Sequence, residues 1–207
     1  LTGGSATNVN FGFTNAQDGN VTIDGNAISY TGLEPIASEI QATHVTLDYS
    51  ITGETITVQQ DTSDTAKTLV TSTLPPSGES VSFPNPTGTL TINAGDTGND
   101  IVTIDGFGTS NGGAPSALTI TGGTGTDAVN VNAGIPLSGS NALSITAETI
   151  DVGAVTVSTA EGSQSYFGAL SVSGSTLQTT GSGSVVLGGD VSVNGSAAAS
   201  IHGKLDL

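Results

Sequence analysis

The sequence contains no cysteine, methionine, tryptophan or arginine, and its only lysines are Lys67 and Lys204. Without cysteine, a disulfide scaffold, a thiol nucleophile and a Cys-ligated metal are excluded. Against two cations stand 18 Asp and Glu, so the net charge of −16 would repel a phosphate backbone, and nucleic-acid binding is not expected. The same deficit disfavours an anionic membrane surface. No apolar run approaches the ~18 residues that span a bilayer, so we expect no membrane insertion.

What the sequence does contain is Thr (32), Gly (30) and Ser (25), about two fifths of its 207 residues. Such a composition suggests disorder, but Val and Ile recur throughout in short runs that alternate with Thr or Ser, such as VTI at 21–23 and 102–104. This alternation is typical of half-buried strands. Only residues 35–42 (PIASEIQA) have any helical character. The chain begins at Leu1, so we expect a processed or excised part of a longer protein.

A repeat discriminates among all-β folds. Residues 90–106 (LTINAGDTGNDIVTIDG) resemble residues 118–134 (LTITGGTGTDAVNVNAG), and similar units start at Leu143, Leu170 and Val191. A β-sandwich also fits the local strand spacing, but it does not explain why whole two-strand units recur. We therefore predict a right-handed parallel β-helix over residues 88–207, with coils of about 21–28 residues. Residues 1–87 are expected to be an irregular β region, an N-terminal cap or a small β domain.

Two turns within this repeat match, fully or nearly, the glycine-rich nonapeptide G-G-x-G-x-D-x-U-x that binds calcium. Glycine allows backbone carbonyls to face a hard cation, and aspartate adds a charged oxygen. The pattern therefore predicts calcium ligands in both turns, although plain Gly/Asp corners of a solenoid would look the same. The candidate residues are Gly95, Asp96, Gly98 and Asp100 in the first turn, and Gly122, Gly123, Gly125 and Asp127 in the second.

The sequence does not favour an enzyme. A polysaccharide lyase with this fold would need a cationic base, which two lysines and no arginine hardly supply. A hydrolase would need paired carboxylates in a cleft, and the upstream pair Asp61 and Asp64 lies in a polar segment. His44 and His202 each lack a second histidine nearby. A carbohydrate-binding or polysaccharide-degrading β-helix remains the alternative function.

The C-terminal segment IHGKLDL at 201–207 alternates like a strand and has no polar cap after it. The last coil should then expose core residues, because an uncovered strand edge invites pairing. We expect self-association through Ile201, Leu205 and Leu207, or coverage by a continuation of a longer chain.

Residues 21–36 (VTIDGNAISYTGLEPI) and 79–100 (ESVSFPNPTGTLTINAGDTGND) resemble repeat units of giant bacterial surface proteins with β-strand repeats and hemolysin-type calcium-binding motifs. The downstream ALSITAETIDVGAVTVSTAEG is similar to β-helix adhesins of the filamentous-haemagglutinin and autotransporter type. The resemblance implies a secreted or cell-surface, elongated scaffold or adhesin with some calcium. The uncapped C-terminal strand, and not the resemblance, is the ground for expecting end-to-end assembly into filaments. Surface glycans are a further expected partner class.

Overall fold

The structure is a computed structural model that describes residues 1–15, 17–32, 35–49, 53–73, 78–95, 97–138, 140, 143–195 and 198–207. As the sequence predicts, the fold is all-β, with one large, mostly parallel sheet and a second sheet of four strands. Within the described residues, the only helical segment is the 3-10 turn Ser110–Gly112. None of the described helical structure is long and apolar enough to cross a bilayer.

The strands are short and follow one another closely along the chain. The N-terminal strands are β1 (Ser5–Phe13), β2 (Asp18–Ile23), β3 (Asn26–Thr31), β4 (Ile36–Ala37), β5 (Gln41–Tyr49), β6 (Thr55–Gln60), β7 (Lys67–Ser72) and β8 (Ser80–Pro84). The later strands are β9 (Thr89–Asn93), β10 (Ile101–Ile104), β11 (Ala117–Thr121), β12 (Ala128–Val131), β13 (Ile135–Leu137), β14 (Leu143–Val152), β15 (Thr156–Thr159), β16 (Gln164–Val172), β17 (Thr176–Thr179), β18 (Ser184–Leu187), β19 (Val191–Val193), β20 (Ser200–His202) and β21 (Lys204–Asp206).

Parallel pairing places most of these strands in three stacks, named A, B and C here. Stack A consists of β1, β5, β9, β11, β14, β16, β18 and β21. Stack B consists of β6, β10, β12, β14, β16 and β19. Stack C consists of β13, β15, β17 and β20. Strands β14 and β16 belong to both A and B, and their mutual register shifts between Thr146 and Thr149.

Apolar side chains occupy equivalent positions in successive strands of each stack. Because alternate residues of a strand point to opposite faces, the Val, Ile and Leu of these runs share one buried face and the Thr, Ser and Asn share the other. One buried column in stack A is Val45, Leu90, Leu118 and Leu143. One buried column in stack B is Ile56, Val102, Val129, Ile150 and Leu170.

The register confirms one part of the predicted repeat and corrects another. Leu90 lies opposite Leu118, as the spacing of the two units predicts. The predicted equivalence of Leu143 and Leu170 is wrong, because Leu143 lies opposite Gln164, and Leu170 lies opposite Ile150. Similar apolar strands of stacks A and B follow each other along the chain, so the spacing of the repeat alone does not distinguish the two stacks.

Antiparallel pairing among the described strands is confined to the N-terminal end. Strand β2 pairs with the outer edge of β1, and β3 pairs with β2. In the same way, β7 pairs with β6, and β8 pairs with β7. These hairpins cover the first strands of stacks A and B. Meanwhile β5 of the N-terminal region pairs in parallel with β9, across the expected boundary at residue 87.

Residues 35–42 are not helical, contrary to their local character. Ile36–Ala37 form β4, and Ile36 is buried opposite Val81 of β8. Strand β5 then begins at Gln41. Strand pairing thus overrides a weak local preference, since so short a segment gains little as a helix.

Candidate functional site

Four acidic residues lie at one corner of the fold, each directly before a strand segment of stack B. Their following residues Thr55, Ile101, Ala128 and Thr149 are in register with one another. The parallel stacking therefore aligns the acidic residues along the stack. This row, named the acidic ladder here, consists of Glu54, Asp100, Asp127 and Glu148.

Each carboxylate of the ladder except that of Glu54 accepts a hydrogen bond from the backbone of the preceding ladder residue. The N–H of Glu54 donates to Oδ1 of Asp100 at 2.6 Å. The N–H of Asp100 donates to Oδ1 of Asp127 at 2.9 Å. The N–H of Asp127 donates to Oε2 of Glu148 at 2.7 Å. Bonds from backbone N–H to an ionised acceptor are short and strong, so the ladder fastens successive strands at this corner.

Three members of the ladder are buried, with exposed fractions of 1% for Glu54, 1% for Asp100 and 2% for Asp127. Their remaining oxygens, both Oε atoms of Glu54 and Oδ2 of Asp100 and of Asp127, have no hydrogen-bond partner within the described part of the chain. Burying a carboxylate oxygen without a partner is costly. Glu148, in contrast, is exposed.

The pKa values at the two ends of the ladder are shifted in opposite directions. Burial, with the nearby charge of Asp100, raises the pKa of Glu54 to about 8. Burial also raises the pKa of Asp100; the N–H of Glu54 opposes that rise and the charge of Asp127 adds to it. At the exposed end, the N–H of Asp127 lowers the pKa of Glu148. The ladder thus favours a neutral acid at its buried end and a carboxylate at its exposed end.

The glycine-rich turns supply the room that the ladder needs. A Cβ on Gly125 would lie 1.5 Å from the carbonyl oxygen of Gly98, and these two glycines form a parallel bridge between their turns. A Cβ on Gly122 would lie 2.6 Å from the Cβ of Asp127. Any larger residue at Gly122 or Gly125 would therefore separate the turns or displace the carboxylate.

The structure brings the predicted turn residues together in part. Gly98 pairs with Gly125, and Asp100 lies next to Asp127 in the following strand level. Gly95 and Gly123 lie in the same two turns, both with positive φ. Asp96 lies outside the described residues.

Sequence reasoning missed Glu54 and Glu148, although a signal for them exists. Each ladder residue opens the same pattern: an acid, any residue, Ile or Val, a polar residue, and Val or Ile. The four copies are ETITV at 54–58, DIVTI at 100–104, DAVNV at 127–131 and ETIDV at 148–152.

In the part of the chain that the structure describes, no three Asp, Glu or His side chains converge on a common point suited to a metal ion. The linear arrangement of the ladder explains why no three of these side chains converge. Neighbouring strands lie about 4.8 Å apart, so an ion between two neighbouring ladder residues would contact only their two carboxylates. The donor set is all oxygen, which suits a hard cation such as calcium. The buried, unpartnered Oδ2 atoms of Asp100 and Asp127 fit such an ion, so calcium at the turns remains a prediction.

The predicted self-association residues lie at the other end of the stacks. Strands β19, β20 and β21, named the open end here, each pair with one strand only among the described residues. Ile201, Leu205 and Leu207 are all exposed, as are Val191 and Val193. Leu205 lies opposite the buried Val185, and Ile201 lies opposite the buried Leu177. The exposed side chains therefore form a core layer that nothing in the described chain covers.

The residues weighed for catalysis make contacts within the chain. The hydroxyl of Ser82 donates to Oδ2 of Asp61 at 2.5 Å, which helps to lower the pKa of Asp61. Asp64 lies 3.6 Å from Nζ of Lys67, in a salt bridge. Nδ1 of His44 accepts a hydrogen bond from a backbone N–H at 3.3 Å. These contacts link strands and loops to one another.

Comparisons of the chain with protein-family models, with curated proteins and with solved structures returned no match. The resemblance to repeats of bacterial surface proteins therefore remains a prediction. The acidic ladder and the open end are the two features from which a function can be argued.

Proposed function

We propose that this chain is a non-enzymatic structural or adhesive segment of a secreted or cell-surface bacterial protein or fibre, built as a right-handed parallel β-helix. The observation that carries the proposal is the in-register stacking of strands in A, B and C. Passing from β14 through β15 to β16 leads from stacks A and B through stack C and back to A, as one coil of a solenoid would.

Such a segment would act mechanically. Rows of backbone hydrogen bonds join successive coils along the axis, and the small polar residues on the outer face keep the strands from pairing with unrelated edges. The net charge of −16 favours solubility. The proposed role is a rigid spacer that holds an adhesive surface away from the cell, with surface glycans as the proposed partner class.

The open end supports the self-association that the sequence predicts. A further strand layer placed on β19 and β21 would bury Val191, Val193 and Leu205, all of which are exposed apolar side chains. The hairpins β2–β3 and β7–β8 cover the opposite end. Contact between the open ends of two copies would give a closed dimer, whereas contact between an open end and a covered end would give a filament. Because the covered end lacks a free strand edge in stacks A and B, the closed dimer is the better fit.

Sedimentation velocity over a wide concentration range tests this association. The wild-type chain should form a dimer, and a double variant with Ile201→Glu and Leu205→Glu should remain monomeric because it places charge in the contact. Ile28→Glu is the matched control, since Ile28 is exposed on β3 at the covered end. A wild-type chain that stays monomeric at every concentration refutes association through the open end, and a growing filament refutes the closed pair.

Calcium is proposed as a stabiliser of the scaffold and not as a catalytic ion. The support for it is the pair of glycine-rich turns that bring Asp100 and Asp127 together. Neighbouring buried carboxylates repel each other unless a proton or cation lies between them. Calcium-dependent protection of these turns from amide hydrogen exchange would support the ion, and identical exchange with calcium and with chelator would exclude it.

A further inference from the structure

Glu54, the first residue of the acidic ladder, is a buried acid whose carboxylate has no hydrogen-bond partner among the described residues. Glu54 has an exposed fraction of 1%, and neither of its carboxylate oxygens has a hydrogen-bond partner within the described chain. Its backbone N–H is bonded to Oδ1 of Asp100 at 2.6 Å, which holds the two residues side by side. Three unpartnered oxygens, two on Glu54 and Oδ2 of Asp100, thus belong to neighbouring residues.

Ordinary contacts do not account for this arrangement. A buried carboxylate is normally paired with a cation or receives several hydrogen bonds. The chain has only two lysines, and both bind other acids: Lys67 contacts Glu39 and Asp64, and Lys204 contacts Asp206. No basic side chain therefore neutralises Glu54 and Asp100 from within the chain.

We propose that Glu54 and Asp100 hold one hard divalent cation of calcium size between strands β6 and β10. Oxygen-only ligands exclude a preference for soft metals. Calcium suits the site better than magnesium, because calcium accepts irregular sets of carboxylate and carbonyl oxygens, whereas magnesium gives up its water reluctantly. Water and backbone carbonyls would complete the coordination sphere.

The Glu54–Asp100 pair differs from the turn site that the nonapeptide pattern predicts. Glu54 lies outside both glycine-rich turns and is 46 positions before Asp100. Asp127 uses one oxygen to accept the N–H of Asp100, so the Asp100–Asp127 pair offers fewer free oxygens. The inference deepens the proposed stabilisation by calcium and rests on the parallel pairing of β6 with β10.

The test is calcium binding by the full chain after treatment with chelator and dialysis. Isothermal titration with calcium chloride should show uptake by the wild type, with a dissociation constant in the range of about 10⁻⁴–10⁻³ M that is usual for extracellular modules. The thermal unfolding midpoint should rise with calcium. Magnesium chloride at the same concentration should give a much smaller rise.

Variants separate this site from its neighbours. Glu54→Gln should unfold at a higher temperature than the wild type in chelator at neutral pH, because the glutamine is buried without the cost of protonating or burying a carboxylate, and its midpoint should not respond to calcium. Asp100→Asn, which retains an acceptor for the N–H of Glu54, should also lose the response. Asp151→Asn is the control for net charge, since Asp151 is exposed in β14, and it should bind calcium like the wild type.

Three results would overturn the inference. One is a wild-type chain that takes up no calcium; another is equal uptake by Glu54→Gln and the wild type; the third is a response lost in Asp127→Asn but kept in Glu54→Gln, which would assign the ion to the glycine-rich turns. None of these results affects the scaffold proposal, because association through the open end is measured by sedimentation and does not involve Glu54.

Discussion

At the N-terminal end, the first strands of stacks A and B are covered by antiparallel hairpins, whereas at the C-terminal end the last strands of all three stacks pair on one side only among the described residues. The covered end has an antiparallel partner for each of these strands. The open end repeats the parallel geometry up to its last layer. A stack of parallel strands thus ends in a different structure from the one that continues it.

The two ends also differ in the side chains that they bury. At the covered end, Phe11 of β1 stacks on Phe83 of β8 with ring centroids 6.1 Å apart, and Phe13 stacks on Tyr49 of β5 at 4.6 Å. The first contact ties the hairpin strand β8 to stack A, and the second joins two neighbouring strands of stack A. Towards the open end, the only aromatic residues after Phe107 in the sequence are Tyr166, which is buried, and Phe167, which is exposed. The comparison predicts that stability is concentrated at the covered end.

The largest expected effect is that of Phe83→Ala. Removing a buried phenyl ring leaves a cavity beside Phe11, and we expect a loss of about 3–5 kcal/mol in the free energy of unfolding. Phe167→Ala, which truncates the same side chain at an exposed position, should cost about 1 kcal/mol or less. Urea unfolding followed by circular dichroism measures both. Equal losses would show that the two regions do not differ in this way.

A smaller loss is expected from Asn85→Ala. Oδ1 of Asn85 accepts the hydroxyl of Thr68 at 2.5 Å, and its Nδ2 donates to the carbonyl of Gly108 at 2.7 Å, with all these contacts buried. Truncation leaves the buried hydroxyl of Thr68 and the buried carbonyl of Gly108 without this partner. We therefore expect a loss of about 2–3 kcal/mol in the free energy of unfolding.

Asn194→Ala is the matched control for Asn85→Ala, because Nδ2 of Asn194 donates to Ser171 at 2.7 Å in an exposed position near the open end. Its loss should be about 0.5 kcal/mol. The same urea measurement applies. A control variant that is destabilised as much as Asn85→Ala would contradict the contrast between the ends.

The acidic ladder predicts a pH dependence for the chain in chelator. The folded-state pKa of Glu54, about 8, lies above its ordinary value of 4.5. Folding therefore favours the neutral acid, and the stability from this group is complete below about pH 4.5 and is lost as the pH rises through about 8. The raised pKa of Asp100 acts in the same direction. The free energy of unfolding should fall by several kcal/mol across this range, because each pKa unit between the folded and unfolded states corresponds to about 1.4 kcal/mol.

Glu54→Gln should remove most of that pH dependence, and Glu148→Gln should leave it in place, because the pKa of Glu148 is lowered and its contribution is lost only at acidic pH. Thermal unfolding midpoints measured in chelator across the range report the slope. If Glu54→Gln retains the full slope, the buried end of the ladder is not its source.

Part of the fold follows from the sequence. The alternation of Val and Ile with Thr fixes which face of each strand is buried, and the close match of residues 90–106 with 118–134 gives the correct register of Leu90 with Leu118. The register predicted for Leu143 is wrong because its partner in the next strand is Gln164, a polar residue, and not a leucine. Gln164 is buried, and its Nε2 donates to the carbonyl of Val157 at 3.0 Å, a partner that only the folded chain provides.

The middle of the acidic ladder, Asp100 and Asp127, was predicted from the sequence, whereas its two ends, Glu54 and Glu148, were missed. Asp100 and Asp127 stand at equal places in two adjacent repeats, so their proximity follows from the period. Glu54 is stacked on Asp100 although β7, β8 and β9 lie between their strands in the sequence. The period does not extend across that insertion. The five-residue pattern that Glu54 shares with the other three acids marks it as a candidate member of the ladder. The pairing of β6 with β10, however, depends on the packing of the intervening hairpin, which local patterns do not encode.

The smallest expected effect is that of Leu205→Ala at the open end. Leu205 belongs to the same stack as Leu90 and points to the same side, but no strand covers it in the described chain, and 43% of it is exposed. We expect a loss of about 0.5 kcal/mol or less in a dilute sample, against about 2–5 kcal/mol for Leu90→Ala. Urea unfolding at two protein concentrations checks this. A loss for Leu205→Ala that grows with concentration would mean that a second copy covers the open end, because only association then adds the missing layer, whereas a large loss at every concentration would mean that Leu205 is covered within one chain.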